Sequence, residues 1–573
     1  MNEGKLNHMR LYASLLLAQA VQRQYAGARL GLAVVTEQGF YYDVDVPGRL
    51  SDADLAGIEE EMRRIAAENA SSTIELLPLE EALLLFESRN EPWKAEWIRE
   101  AAGDKIAVMR SASFLDVVPI EWAASSASHE MPAFKLLNTA GAYWRGDSSR
   151  PMLQRIYGAA FASAEELAAF VAGHEEALKR DHRKLGQQLE LFMFAEEAPG
   201  MPFFLPKGTI VRQELEQLAR DYLVKYACEE VRTPIIMNRR MWEQSGHWDH
   251  YRDNMYFSEL DNHQFAVKPM NCPGHMLIFK HRRRSYRELP LRLAEFGQVH
   301  RHEFSGALNG LFRVRTFCQD DAHLFVTPEQ IEAEIKQVIA MIREIYAIFG
   351  FEYRLELSTR PDDSMGSDEQ WEAAEKALAR VLEDAGLPYS INEGDGAFYG
   401  PKIDFHIRDA LNRSHQCGTV QLDFQMPEKF ELSYVDERSE KQTPIVIHRA
   451  VYGSIDRFLG ILLEHYAGAL PIWLAPVQAI ILPVSEAHVS YAAEQCRKLM
   501  ESGIRAEVDE RNEKLGYRIR EAQMQKIPYT LVVGDAEQAS GALQVRRYGH
   551  KEQEVYDLTS FIGVMQERIR LRN

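Results

Sequence analysis

A chain of 573 residues with 66 basic and 85 acidic side chains, a net charge of −19 and 46% hydrophobic residues is too long for one core. Composition alone predicts about three or four soluble domains. The acidic balance excludes a uniformly basic surface, so any phosphate-binding face must come from local clusters such as "KRDHRK" from Lys179, "KHRRR" from Lys280 or the pair at Arg546. Each of these reads equally well as a solvated face.

Residues 1–163 mix helical and extended patterns. "RLYASLLLAQAV", with Lys5 before it, Arg10 at its start and Ala18-Gln19-Ala20 near its end, imitates a secretory signal. It continues through "QRQY" and is read instead as an amphipathic helix. "GLAVVTEQGFYYDVDV" predicts two strands joined by a glycine turn. From Ser163, an N-cap followed by Glu165 and Glu166, a long linker helix is expected over 164–187, ending before the Pro- and Gly-broken "EEAPGMPFFLPKGT".

Residues 188–471 alternate helices with runs such as "FEYRLELS" and "TVQLDFQM", which predicts an antiparallel sheet flanked by helices. Residues 472–573 show short apolar strands alternating with amphipathic helices, the rhythm of a small parallel-sheet α/β domain. The chain as a whole is an α+β multidomain protein. The longest apolar run, from Leu470, is broken by Pro476 and Gln478 and cannot span a bilayer. Five cysteines (Cys228, Cys272, Cys318, Cys417 and Cys496) make no disulfide framework and read as the reduced thiols of a cytoplasmic protein.

Polar residues concentrate in "VHRHEF" and "FRVRTFCQDDAHLF", read as two strands with a short Gly-rich link. Alternation puts Arg313, Arg315 and Phe317 on one face, continued by Gln319, Asp321 and His323, and the hairpin brings Arg301 and Glu303 close to them. Arginines and carboxylates facing one cleft suit a substrate carrying both phosphate and amine groups. The alternative is a polar surface hairpin. Cys272 in "KPMNCPGHMLIF" is by itself core filler as readily as a ligand. Together with His323 and His448 it makes a three-ligand zinc set with an open position, although the spacing lends no support.

"PMNCPGH", "FGQVHRHEFSG", "FRVRTFCQDDAH", "GAFYGPKIDFHI", "QCGTVQLDF" and "PIVIHRAVYGSIDRF" resemble the signature blocks of threonyl-tRNA synthetases, class II aminoacyl-tRNA synthetases. "GTIVRQELEQLARDYLVKYACEEVRTP" resembles the helix and strand that usually build the dimer of that class. The resemblance runs over nearly the whole chain. It implies that L-threonine reacts with ATP to give threonyl-adenylate, with Mg²⁺, and that tRNA(Thr) then takes the acyl group. By resemblance Cys272, His323 and His448 hold one zinc ion, which receives the amino and hydroxyl groups of threonine. Arg301 holds the α-phosphate, Glu303 the adenine amine, Arg313 and Arg457 the outer phosphates, and Phe317 stacks on the base. Gln319, Asp321, Tyr399 and Gln421 surround threonine; Lys402, Gln416, Thr419 and Ser454 line the same cleft. His247 matches a histidine that helps deprotonate the tRNA ribose, and Asn512, Glu537 and Arg546 match positions that read the anticodon. A homodimer with no membrane contact is implied.

Two departures from the family pattern are legible. The small ubiquitin-like domain with which bacterial members usually begin has no counterpart here. Residues 1–163 resemble the domain that hydrolyses Ser-tRNA(Thr), but its paired histidines fall on Leu11 and Leu15, and its loop cysteine and histidine on Val118 and Trp122. Only Asp116 is kept, and His8 and His129 are the remaining candidates for replacement. Leucine, valine and tryptophan exchange no protons, so a degenerate editing domain is expected. In the active-site block, Thr316, Cys318 and His302 also depart from the common pattern. Against a charging enzyme stands a non-charging RNA-binding or regulatory paralogue, which loss of a zinc ligand would favour; a second alternative remains an enzyme, a specialised duplicate, which a second full-length copy in the genome would favour.

Overall fold

The computed structural model describes residues 3–68, 72–101, 103–124, 131–147 and 149–572. The segment that imitates a signal peptide is a helix, Glu3–Gln24. It is not amphipathic: from Met9 to Val21 nearly every side chain is buried. A helix that is apolar on all sides needs cover on all sides. It packs with a four-stranded antiparallel sheet, in the order Arg29–Val35, Gly39–Asp45, Met152–Phe161 and Ala133–Tyr143, and with helix Leu55–Ala67. A second antiparallel sheet joins Ser72–Pro78, Lys105–Ser111 and Phe114–Val118. These elements belong to the first of two compact units, 1–176 and 177–573.

The predicted linker helix runs Ala164–Arg180, and the Ser163 hydroxyl accepts from the Glu166 amide as expected of an N-cap. It does not continue to 187. Asp181 leaves the helical conformation and caps a second, short helix, His182–Gln188, by accepting from the Arg183 amide at 2.8 Å.

The second unit is built on an eight-stranded sheet. Numbered in chain order within it, the strands are β1 (Glu229–Glu230), β2 (Leu291–His300), β3 (Thr316–Val326), β4 (Glu352–Ser358), β5 (Tyr389–Asn392), β6 (Lys402–Arg408), β7 (Ser414–Asp423) and β8 (Ile445–Ala450). Their spatial order is β1-β2-β3-β8-β7-β6-β4-β5, antiparallel except at the two short edge pairings. Helices Pro206–Lys225, Ile331–Phe349 and Ile455–His465 supply the apolar cover. A mostly antiparallel sheet can afford one face open to solvent, and the cleft described below lies on that face.

Residues 472–573 have a core of their own around five strands ordered Ala506–Val508, Ala479–Pro483, Tyr529–Val533, Ala542–Arg547 and Gln553–Asp557. The first three are parallel, as predicted, and the last two antiparallel. Connections as short as the one holding helix Asp535–Ser540 cannot make a parallel crossover, which needs a dozen or more residues. Among the described residues no helix is long and apolar enough to cross a membrane.

Candidate active site and metal centre

β2 and β3 pair from Leu291↔Phe325 to His300↔Thr316, so residues 301–315 leave the sheet as an excursion and not as the tight strand-to-strand link expected. The excursion closes on itself: the Asn309 amide donates to the Arg313 carbonyl at 3.1 Å, and the Phe312 amide to the Asn309 carbonyl at 2.9 Å. Arg315 does not join the cleft face. Its guanidinium donates to the carbonyls of Glu303 and Pro199 and to Ser305 Oγ, bracing the excursion.

Between the excursion and the sheet lies a cavity of about 650 Å³, within the range of small-molecule sites. Arg301, Glu303, Arg313, Phe317, Gln319, Gln416, Thr419, Ser454 and Arg457 all line it. The Arg301 guanidinium lies 5.0 Å from the Phe317 ring and 5.7 Å from that of Tyr251, and its Nε donates to the Pro269 carbonyl. Arg313 pairs with Glu303 at 3.1 Å. Ser454 caps helix Ile455–His465 by accepting from the Arg457 amide, and the buried Arg457 Nε has no hydrogen-bond partner among the described residues. A buried donor left unsatisfied costs about 1–3 kcal/mol, so this one is poised for an acceptor.

Alternation along β3 carries the same face past Gln319 to Asp321 and His323. There Cys272, at the start of helix Cys272–Lys280, meets His323 and His448, which face each other across β3 and β8. One donor atom from each lies within 4.8 Å of the others, and all three residues are buried. The second nitrogens of both imidazoles are engaged. His448 Nε2 meets Asp423 Oδ2 at 2.9 Å, and Asp423 also accepts from the Gln425 and Met426 amides. His323 Nδ1 meets His275 Nδ1 at 2.9 Å, and His275 Nε2 meets Glu295 at 3.2 Å. Burial works to raise the Glu295 pKa, but His275, the Thr233 amide and the Lys268 ammonium outweigh it and hold the group at about 2. The ionised Glu295 accepts from His275 Nε2–H, so His275 Nδ1 carries the lone pair that accepts from His323 Nδ1–H. His323 Nε2 and His448 Nδ1 are then the free lone pairs, and with the Cys272 sulfur they form an N, N, S set with room for further ligands, the chemistry of a catalytic zinc site. Burial, with Asp321 and Asp423 close by, pushes the Cys272 thiol well above its ordinary pKa, a cost that a cation at the site would relieve. Asp321 accepts from Asn271 at 3.1 Å, the Tyr399 ring lies 5.1 Å from that of His448, and Gln421 pairs with His448 in register and donates to the Gly400 carbonyl.

Two predicted residues sit differently. Lys402 is drawn into ion pairs with Asp395 and Asp404 and does not line the cavity. His247 is fully buried, with Nδ1 at 2.8 Å from Ser245 Oγ and Nε2 at 3.1 Å from Met270 Sδ. Burial first, then the charges of Arg301 and His448, lower its pKa to about 3. The folded value lies below the unfolded 6.5, so the stability it confers is complete above pH 6.5 and is lost as the pH falls towards 3. Between pH 7 and pH 5 this group should cost about 2 kcal/mol, and a His247→Phe variant should lose correspondingly less stability over that interval. Urea unfolding at the two pH values measures it; equal losses in both proteins would refute the assignment.

Cys318 and Thr316 are not cavity residues. Cys318 points into the core, its thiol pushed up to about 12 by burial, while Thr316 Oγ1 bonds Gln298 and His300. The run from Lys280 is tied down, with Lys280 on Glu431 and both Arg282 and Arg284 on Glu288. Asn512 is exposed; Glu537 lies on helix Asp535–Ser540, accepting from the Gly534 amide, and Arg546 on the strand that follows. Asp423, His275 and Glu295 were not foreseen. His275 was findable, because it falls three residues after Cys272 on one helix face, and so was Asp423, two residues after Gln421 along β7.

In the first unit, Leu11, Leu15, Val118 and Trp122 all enter one apolar cluster, and Trp122 stacks on His8 at 4.9 Å. Asp116 is 1% exposed, paired with Lys94 at 2.9 Å and accepting from the Tyr42 hydroxyl at 2.6 Å. His129 lies outside the described residues.

An antiparallel sheet with a cation-lined cleft on one face and a separate α/β domain after it defines a class II tRNA synthetase. The class II core domain shared by the G, H, P, S and T enzymes matches residues 256–466, and an anticodon-binding domain matches 478–568. The chain is 58% identical to threonine–tRNA ligase 2 of Bacillus subtilis over 558 residues, covering 97% of this chain and 87% of that one. It is 52% identical to the threonine–tRNA ligase of Acetivibrio thermocellus over 570 residues, covering 99% and 89%. A solved structure of the RNA-binding domain of threonyl-tRNA synthetase from Cryptosporidium parvum superimposes with a TM-score of 0.66 at 43% identity, covering 68% of this chain and 98% of that one. The chain belongs to the threonine–tRNA ligase family.

Proposed function

We propose that this protein is a zinc-dependent threonine–tRNA ligase that charges tRNA(Thr) in the cytoplasm and does not hydrolyse Ser-tRNA(Thr). The observation that carries the charging half is the convergence of Cys272, His323 and His448 on the strand face that continues from a cavity lined by every residue assigned to ATP. Zinc, when bound there, supplies a Lewis-acid contact that the hydroxyl of threonine satisfies and the methyl of valine does not. ATP enters as its Mg²⁺ complex. Arg301 takes the α-phosphate, Arg313 and the unpartnered Arg457 the outer phosphates, and Phe317 the adenine, whose amine meets Glu303. Gln416, Thr419 and Ser454 complete the nucleotide cleft. Gln319, Asp321, Tyr399 and Gln421 orient threonine, Lys402 acts from the side of the cleft through its acidic partners, and His247 assists the ribose. The protein's part in adenylate formation is positioning and charge neutralisation. Asn512, Glu537 and Arg546 read the anticodon.

The division of labour follows 1–163 (editing-like), 164–187 (linker), 188–471 (charging) and 472–573 (anticodon). Loss of editing is supported by the four editing positions lying within an apolar core, with the surviving Asp116 already neutralised. A homodimer is supported by the exposed apolar side chains of Val224, on the helix that resembles the class II dimer segment, and of Ile235 and Ile236 immediately after that segment. Charging of tRNA(Thr) transcript is tested with threonine and separately with serine, using zinc-loaded protein whose mass is checked by light scattering. Thr-tRNA and persistent Ser-tRNA are expected from a dimer. Ser-tRNA decay well above the spontaneous rate would refute the editing half, and no product with either amino acid the charging half.

A further inference from the structure

The basic run "KRDHRK" contains a buried histidine that no role so far has absorbed. His182 is 1% exposed, and both of its ring nitrogens are committed. Nε2 accepts from the Leu311 amide at 2.9 Å, so it carries no proton, and Nδ1–H donates to Glu464 Oε1 at 2.6 Å. The same carboxylate oxygen accepts from the His182 amide at 3.1 Å. This satisfies the ring and rules out the metal site that the grouping of Asp181, His182 and Glu464 suggests. Leu311 sits at the tip of the 301–315 excursion, two residues before Arg313. Gly310 adopts a φ of +49° there, and a Cβ on it would lie 2.2 Å from His182 Nε2, so the backbone of the tip rests directly on the imidazole. The His182 ring also packs on Phe312 at 4.1 Å between centroids. On its other side Phe312 meets His415 at 5.3 Å, and His415 lines the cavity and is held by Asp409 at 2.9 Å. Arg413 joins Asp409 to Glu464, closing the circuit.

We propose that His182, oriented by Glu464, is a positioning residue for ATP: it latches the tip of the excursion so that Arg313 is held over the nucleotide cavity. The proposal rests on the assignment of Arg313 to the outer phosphates. Leu311 is fully buried, so without His182 its amide has no acceptor, and the excursion has to order itself when ATP binds. The Glu464 contact fixes the tautomer that accepts from Leu311, which is the part a second residue plays for a metal-bound or catalytic histidine.

Threonine-dependent ATP–pyrophosphate exchange tests it, with separate KM values for ATP and threonine. His182→Asn keeps a donor near Glu464 but leaves the Leu311 amide unmatched; its KM for ATP should rise roughly tenfold, with the KM for threonine changed less than about twofold. His182→Gln places an amide oxygen near the Nε2 position and should recover most of the loss. In an Arg313→Ala background, which by itself raises the KM for ATP, His182→Asn should add little, because both act through one group. Melting temperature is followed in every variant: a merely destabilised protein shows a lower melting temperature and a lower apparent kcat with both KM values unchanged, which would overturn the latch. Additive effects in the double variant, equal changes in both KM values, or no rescue by glutamine would overturn the latch. If Arg313→Ala itself leaves the KM for ATP unchanged, the phosphate assignment fails, and the latch with it, by a separate readout.

Discussion

Replacing His323 by alanine should lower threonine-dependent ATP–pyrophosphate exchange by roughly a thousandfold, because a Lewis-acid contact is worth several kcal/mol and each 1.36 kcal/mol is tenfold. Bound zinc, read by elemental analysis, should fall to background, and Cys272→Ser should behave in the same way. ATP binding measured by calorimetry should change little, since the nucleotide cavity is lined by other residues. Asp423→Asn offers a graded comparison. It removes the charge and keeps one acceptor oxygen, turning its NH2 either onto His448 Nε2–H or onto the Gln425 and Met426 amides, and should cost about 10- to 100-fold in metal affinity. Retained zinc and undiminished exchange in the His323 variant would remove the metal from the proposed function. Loss of ATP binding would point to a folding role for the site instead.

The second large effect lies far from that cleft in the chain. Lys94 and Asp116 are 0% and 1% exposed and make a buried ion pair at 2.9 Å. Burial raises the pKa of the Glu91 carboxyl, and Lys94 offsets only part of that rise. Lys94→Met leaves two buried carboxylates without their cation, and breaking such a pair costs about 3–5 kcal/mol. Unfolding of the first unit, followed by thermal or urea melts, should show that loss at neutral pH. In the variant Glu91, already raised by burial, loses the cation that lowers it, so stability returns as the pH falls and that carboxyl protonates. Lys94→Met with Asp116→Asn should recover much of the deficit. A loss under about 1 kcal/mol would mean that the pair is solvated and that Asp116 remains available for chemistry.

Much of this was legible in the sequence. Cap and breaker residues located the linker helix, where Ser163 caps as expected, and alternation along "TFCQDDAHLF" put Phe317, Gln319, Asp321 and His323 on one face. The same patterns misjudged the first helix. An apolar run from Leu11 to Val21 fits an amphipathic or a fully buried helix equally well, and only the packing around it distinguishes the two. Alternation also put Arg315 in the cleft, whereas the backbone leaves the sheet at His300 and the carbonyls of Glu303 and Pro199 claim its guanidinium.

What the sequence by itself determined are the features that neighbouring residues decide: element type, the polar face of β3, the apolar replacements at Leu11, Leu15, Val118 and Trp122, and the inventory of chemical groups. Tertiary structure alone decided which groups meet. The register of β3 against β8 brings His323 to His448, the helix after Asn271 delivers Cys272 to them, and the excursion folds back until Leu311 reaches His182. The reason is physical: helix caps and strand alternation are set by interactions over a few residues, whereas a metal site or a latch depends on contacts between distant segments. Those are fixed only when the whole sheet has chosen its register and buried its core.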